Sequence, residues 1–256
     1  MADAGGYAYR ARVLNPPVSG LLFANTKRVI MTDVIDATAS LTPFLFGSLS
    51  AMGRRVRNVQ LVVITLPRPV PNMVLISSTD GVLSKAGIAL NEGQRLALEG
   101  DFDATFSLYC PRGYEADALY VFTPDVMSHL VDSASGCDIE LVDNRVLIYA
   151  PAAAFATTTA LSVVPELVQF LERKLNKQTI HYQDARDGGT SMSDPFRRAQ
   201  ITAMGGTDAT FRIGSRGRRL RRRTTIGQKA GICAGALVAA TAGAYWVVAV
   251  LRAFMP

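Results

Sequence analysis

Three carboxylates at alternate positions are the first candidates for chemistry in this sequence. Glu99, Asp101 and Asp103 lie in the stretch LEGDFDATFSLY, where their oxygens could bind a divalent metal ion or form the DxD motif of a sugar-nucleotide enzyme. Apolar residues alternate with them, which is the pattern of a strand with one buried and one solvated face. No histidine or further acid completes a set of ligands, so we favour a solvated strand face. A membrane-bound, metal-dependent enzyme is the alternative.

Histidine and cysteine chemistry has less support. His129 and His181 are the only histidines, and we interpret both as ordinary structural or surface residues. Cys110 and Cys137 are the only cysteines outside an apolar C-terminal segment, and no CxxC or Cys/His ligand spacing is present. The sequence also lacks a P-loop, a GxSxG, an HExxH and a GxGxxG after a strand. We therefore predict no cofactor, no metal ion and no catalytic residue, and lean towards a protein that is not an enzyme.

Hydrophobic periodicity predicts the strands that would carry these residues. A strand pair is indicated in VSGLLFANTKRVIMTDVIDAT, and single strands in TPFLFGSL, in VRNVQLVVITL up to Pro67, in NMVLISS after the turn PRPVP, and in LEGDFDATFSLY. CDIELVDNRVLIYAP predicts two strands joined at Asp143 and Asn144.

Two helices are predicted among these strands. Thr123 as N-cap and Pro124 at the first helical position begin one, which ends at Gly136. The second runs from about Val164 to Lys177, with apolar residues at spacings of three and four. The predicted fold class is α+β, mainly antiparallel sheet with at least two helices.

The basic charge of the chain is confined to its C-terminal part. The 256 residues carry a formal net charge of +6, but residues 212–256 hold nine Lys and Arg and no Asp or Glu. Residues 1–211 are therefore slightly acidic, which gives them no general attraction for a nucleic-acid backbone. Six of the nine basic residues lie in the arginine run RGRRLRRR, residues 216–223.

An uncharged apolar segment follows the arginine run. Residues 230–251, AGICAGALVAATAGAYWVVAVL, number 22, about the length of a helix that crosses a hydrocarbon core roughly 30 Å thick. Basic residues beside a span are retained on the cytoplasmic side, so the preceding domain is predicted to lie in the cytoplasm. The first residues, MADAGGYAYRARVL, lack the apolar region of a secretory signal. The alternative is a buried core helix.

The basic residues beside this segment are predicted to contact anionic lipid headgroups, each worth on the order of 1 kcal/mol. They are Arg216, Arg218, Arg219, Arg221, Arg222, Arg223 and Lys229. A nucleic-acid surface would need aromatic or polar residues between the arginines to contact bases, and RGRRLRRR has none. We therefore predict no specific nucleic-acid partner.

A stripe of small residues runs along the predicted span. It recurs every four positions and includes the GxxxG of GICAG, and its members are Gly227, Gly231, Gly235, Ala239 and Gly243. Such a stripe lets two helix backbones approach closely. It predicts a homodimer through the span or pairing with another span, although Gly and Ala are abundant here by composition alone.

The stretch LEGDFDATFSLYCPRGYEADALYVFTPDVM, followed by CDIELVDNRVLIYAP, carries a family resemblance. It resembles a family of uncharacterised bacterial membrane-associated proteins with a phrase of the form LEGDF, PxGYE, ALY and TPD in this order. The resemblance extends upstream to GLLFANTKRVIMTDVI and covers about residues 19–150. It implies a shared domain with no assigned activity, so it implies no catalytic residues.

These features divide the chain into five predicted parts. They are a cytoplasmic α+β domain (1–180), a flexible linker (181–215), a basic juxtamembrane segment (216–229), a transmembrane helix (230–251) and a short tail (252–256). The predicted protein is a single-pass cell-membrane protein. Its cytoplasmic domain is predicted to be a binding or scaffolding module for an unknown protein partner or ligand.

Overall fold

The described residues form an α+β fold with an antiparallel seven-stranded sheet and several helices, which confirms these parts of the predicted fold class. A computed structural model describes residues 7–16, 18–24, 26, 28–38, 43–52, 56–79, 81–98, 101–152, 158–180, 182, 184 and 213–223. The predicted span at 230–251 lies outside these residues. Among those described, no helix is both long and apolar enough to cross a membrane.

The sheet follows the order β1-β2-β3-β4-β6-β5, and β7 pairs with β4. The strands are β1 (Ala8–Leu14), β2 (Arg28–Asp36), β3 (Phe44–Met52), β4 (Val56–Ser77), β5 (Arg95–Leu96), β6 (Phe106–Tyr109) and β7 (Asp138–Pro151). The helices are α1 (Val82–Lys85), α2 (Phe102–Thr105), α3 (Glu115–Val121), α4 (Pro124–Ala134) and α5 (Thr158–Thr179), and a 3-10 turn spans Glu92–Gln94.

The long strands β4 and β7 are buried on both faces and separate two hydrophobic cores. Successive residues of β4 alternate between the cores: Val62 and Ile64 belong to the first, Leu61 and Val63 to the second. Residues from α3, α4 and α5 fill the first core, while α1 and the turn around Leu22 contribute to the second. Continuous apolar runs in both strands agree with burial on two faces.

A bulge in β4 reverses this alternation. Between the pairs Val70–Asp143 and Met73–Leu141, β4 has two residues where β7 has one. As a result Val70 and Met73, three positions apart, both face the first core. The extra residue places the backbone N–H of Asn72 outside the ladder, where it is available to another segment.

The prolines of β4 lie in its irregular stretches. Pro67 and Pro69 fall between the paired residues Thr65 and Val70, and Pro71 falls within the bulge. Proline has no N–H to donate to a ladder, so these are positions that tolerate it. The sequence PRPVP, predicted to be a turn between two strands, is therefore part of one continuous strand.

Several other elements differ from those predicted. Residues 20–23 form a turn with Leu21 and Leu22 buried, and β2 pairs instead with β1. The predicted strand in LEGDFDATFSLY is the short helix α2 followed by β6. The predicted hairpin at Asp143 is one strand, β7, because both of its halves pair with β4.

The predicted helices are found with small shifts in their bounds. Helix α4 begins at Pro124 after the N-cap Thr123 and ends at Ala134, close to the predicted end. Helix α5 begins at Thr158, several residues before the predicted start, and it includes Pro165. Apolar positions of both helices enter the first core, as their periodicity predicts.

A buried carboxylate joins β7 to the segment after β4. Asp138 is fully buried and accepts hydrogen bonds from the backbone N–H groups of Ser77 at 2.8 Å and Leu83 at 2.6 Å. Burial raises the pKa of Asp138 to about 6, although the hydrogen bonds from Leu83 and Ser77 act in the opposite direction. Asp138 thus fixes the first turn of α1 against the sheet.

Asp138 is expected to make the protein less stable as the pH rises from about 4 to about 6. Its pKa of about 6 in the folded state exceeds the value of about 3.9 in an unfolded chain. Folding therefore favours the protonated form, and this contribution is present below pH ~4 and lost as the pH rises through ~6. The shift corresponds to about 3 kcal/mol.

The measurement is urea unfolding of the wild type and of Asp138→Asn at several pH values. The free energy of unfolding of the wild type, relative to the variant, should fall across this window. Asp132→Asn removes an exposed carboxylate of α4 and serves as the control. A relative stability that rises with pH would show that the hydrogen bonds outweigh burial.

Candidate functional site

The segment that contains most of the arginine run packs on the domain, and we call residues 213–221 the strap. Ile213, at one end of the strap, belongs to the first core, and Leu220, near the other end, belongs to the second. The strap therefore passes from one face of the sheet to the other. One compact unit includes it, extending from residue 1 to Arg221.

The strap crosses the sheet at the bulge of β4. The backbone N–H of Asn72 donates to the Gly217 carbonyl at 2.8 Å, and the Asn72 side-chain oxygen accepts from the Leu220 N–H at 2.9 Å. The Asn72 amide nitrogen donates to the Leu141 carbonyl at 2.9 Å. Asn72 is buried, so these bonds satisfy its polar atoms where water is excluded.

A buried glutamate lies beside Asn72. Glu140 accepts hydrogen bonds from the Leu21 N–H at 2.8 Å, the Tyr149 hydroxyl at 3.0 Å and the Asn72 side-chain nitrogen at 3.3 Å. Burial raises the pKa of Glu140, while these bonds and the nearby Arg219 guanidinium oppose the rise. A Cβ on Gly20 would approach the Tyr149 hydroxyl to 2.6 Å, so only glycine leaves room for this network.

Polar contacts also fix both ends of the strap. Asp184 accepts from the Gly214 N–H at 2.8 Å and from the Tyr114 hydroxyl at 2.7 Å. At the other end, the Arg221 N–H donates to the Gln94 side chain at 2.8 Å, and the Asn91 N–H donates to the Arg221 carbonyl at 3.1 Å. The backbone of the strap is therefore held along its length.

The arginine side chains of the strap remain exposed while its backbone is bound. Gly217 and Leu220, the two residues that interrupt the arginine run, are buried, whereas Arg216, Arg218, Arg219 and Arg221 are exposed. Arg219 forms an ion pair with Asp143 at 3.3 Å, and both side chains are about half exposed. An exposed pair of this kind contributes little to stability, so most of the strap's positive charge faces solvent.

Four of the seven predicted basic residues thus lie on the strap, which packs against the domain. They are Arg216, Arg218, Arg219 and Arg221. Arg222 is half-buried and Arg223 is exposed. Lys229 and the whole small-residue stripe, Gly227, Gly231, Gly235, Ala239 and Gly243, lie outside the described residues. Tyr182 and Ile213 pack in the first core, and Asp184 bonds to Gly214 of the strap. The predicted boundaries at 180 and 215 stay predictions.

The structure describes two of the three candidate carboxylates. Asp101 is exposed at the N-cap of α2, and Asp103 is half-buried in its first turn. Glu99 lies outside the described residues. Within the described ranges, no group of three or more His, Cys, Asp or Glu side chains could hold a metal ion.

His129, Cys110 and Cys137 have structural surroundings, and His181 lies outside the described residues. The His129 ring stacks on Phe170 with 3.7 Å between centroids, joining α4 to α5. Cys110 and Cys137 are buried free thiols, and burial raises their pKa to about 11 and about 12. At neutral pH both are therefore protonated, the less reactive form for a nucleophile.

Two arginines beside the 3-10 turn, Arg95 and Arg112, add positive charge near the strap, and no sequence pattern indicates them. The Arg112 guanidinium donates to the Gly93 carbonyl at 3.1 Å, and Arg95 directly follows the turn residue Gln94. Both arginines are exposed. Because Arg221 bonds to Asn91 and Gln94, Arg112 and Arg95 adjoin the end of the strap.

Comparisons with known proteins give no family. No family model matches the chain, and no curated protein shows significant similarity to it. A solved structure, the crystal structure of the mycobacterial trehalose monomycolate transport factor A (TtfA), has 10% sequence identity and a TM-score of 0.46. The match covers 70% of this chain and 89% of that one. A TM-score of this size does not establish a shared fold.

Gly217→Ala should loosen the strap. A Cβ at this position would approach the Ile213 side chain and the Tyr114 ring to 2.6 Å each, which predicts a loss of about 1–3 kcal/mol in the free energy of unfolding. Trypsin cleavage after the strap arginines should accelerate at the same time. In the control, Gly136→Ala, the new Cβ meets no atom within 4 Å. Equal trypsin rates in both variants would contradict the proposed tight crossing.

Proposed function

We propose that the protein is a membrane-tethered binding or scaffolding module whose domain lies in the cytoplasm. The observation that carries this proposal is the uncharged segment 230–251 with a dense arginine run on its N-terminal side only. The exposed arginines of the strap agree with it, because their side chains are available for lipid headgroups. We also propose that residues 19–150 form the domain of the bacterial membrane-associated proteins that they resemble.

Such a tether would act through local concentration. A domain held at the membrane meets partners on the same surface at a higher effective concentration than in free solution. Binding affinity need not be high for the complex to form there. This is why we propose a binding module for an unidentified protein partner.

Carbonate extraction tests the anchor. We expect the full chain to remain in nuclease-treated membranes washed with alkaline carbonate, and the domain to be protected from protease added outside intact cells. Leu237→Arg places a charge near the centre of the predicted span. Inserting such a charge into the membrane costs about 2.5–3.5 kcal/mol, so the variant should reduce the retained fraction. Leu14→Arg changes an exposed leucine of β1 and is the control. Release of the wild-type chain into the wash would refute the anchor.

Energy transfer between labelled copies tests the predicted pairing of the span. Gly231→Leu/Gly235→Leu should lower transfer in membranes, because the larger side chains separate backbones that small residues bring together. Ala240→Leu/Ala244→Leu adds similar volume on the side of the same helix opposite Gly231 and Gly235. If both double variants behave alike, the stripe is not a pairing surface.

A further inference from the structure

The strap and the adjoining 3-10 turn form one basic surface on the domain itself. The backbone of Arg221 bonds to Asn91 and Gln94, and the Arg112 guanidinium bonds to Gly93 between them. This basic surface consists of Arg95, Arg112, Arg216, Arg218, Arg219 and Arg221, all of which are exposed.

Acidic side chains offset only part of this charge. Asp143 pairs with Arg219 at 3.3 Å, and Glu92 is exposed on the 3-10 turn. Asp184 and Glu115 add two more carboxylates, one bonded to Gly214 of the strap and the other to Gly113 beside Arg112. Six guanidinium groups outnumber these four carboxylates, which leaves the surface positive. The rest of the chain up to residue 211 is slightly acidic, so the positive charge is local.

We propose that this surface lies flat against an anionic lipid bilayer and sets the orientation of the domain. The inference rests on the proposed membrane anchor, and chain length supports it. Eight residues, 222–229, separate Arg221 from the predicted span, and an extended chain of that length reaches about 30 Å. The end of the surface at Arg221 is thus confined close to the headgroups, while β1 lies at the other end of the strand order from β5.

Fixed arginines suit a lipid surface for a second reason. Arginines on an unbound chain lose conformational freedom when headgroups order them. The strap backbone is already ordered by its bonds to Asn72, Gln94 and Asp184. Less conformational freedom is therefore lost when headgroups bind the guanidinium groups.

Fluorescence quenching by spin-labelled lipids tests the orientation. The full chain, with Cys233→Ser, carries a fluorophore on Ala97→Cys beside Arg95 or on Ala11→Cys in β1, both exposed sites. The lipid vesicles contain phosphatidylcholine alone or phosphatidylcholine mixed with phosphatidylglycerol. We expect quenching at position 97 only with phosphatidylglycerol, weakening as salt is raised, and no quenching at position 11.

Charge variants make the test specific to these residues. Arg95→Gln/Arg112→Gln should lower the ratio of surface-bound to released domain by roughly 30-fold, the effect of two arginines at about 1 kcal/mol each. Arg12→Gln/Arg28→Gln removes the same charge from β1 and β2 and should leave quenching at position 97 unchanged. Equal quenching at positions 97 and 11 would overturn the proposal. So would an unchanged ratio of surface-bound to released domain in Arg95→Gln/Arg112→Gln.

Two outcomes distinguish this proposal from the proposed membrane anchor and from nucleic-acid binding. If carbonate releases the wild-type chain, the anchor is wrong, and the surface is judged alone by adding the chain to preformed vesicles of both compositions. If Arg95→Gln/Arg112→Gln abolishes salt-dependent retention of duplex DNA and leaves lipid quenching unchanged, the surface binds nucleic acid and our proposal is refuted.

Discussion

The side chain and backbone of Asn72 form the contact on which the arrangement of the strap depends. The bulge in β4 removes the Asn72 N–H from the ladder, and the strap supplies the acceptor at Gly217. The same residue bonds to Leu220, Leu141 and Glu140 through its side chain. A buried amide left without these partners would cost about 1–3 kcal/mol per unmet group. The bulge and the strap therefore stabilise each other, and neither is favourable without the other.

Glu140 links Asn72 to the turn at residues 20–23. A carboxylate inside a core is tolerated only when hydrogen bonds or charges compensate for lost hydration. Three donors, from Leu21, Tyr149 and Asn72, surround Glu140, and Arg219 adds a nearby positive charge. Residues far apart in the sequence therefore meet at one buried polar group. Such a network favours a single packing of the two cores because each alternative leaves a polar atom unpaired.

The sequence predicts elements whose signals are local and misses those set by distant partners. Helix α4 follows from Thr123, Pro124 and its apolar periodicity. In contrast, Asp143 and Asn144 resemble a hairpin turn, yet β7 continues through them because β4 pairs with both halves. The high charge of the arginine run predicts a solvated segment. The two residues that pack on the domain, Gly217 and Leu220, are the uncharged ones within it. A glycine and a leucine within an otherwise arginine-only run were the available signal. Nothing local indicates Asn72 as the partner of both residues, or Gln94 as the partner of Arg221.

The strap changes what the arginine run can do. In a freely moving juxtamembrane segment, attraction to headgroups would hold the chain near the bilayer without orienting the domain. Here the backbone between Ile213 and Arg221 is bonded to the sheet and the 3-10 turn, so the headgroup attraction that we propose would act on the whole domain. A partner site elsewhere on the domain would then face a defined direction relative to the membrane. For a scaffold, a fixed orientation raises effective concentration only for partners that approach from that direction.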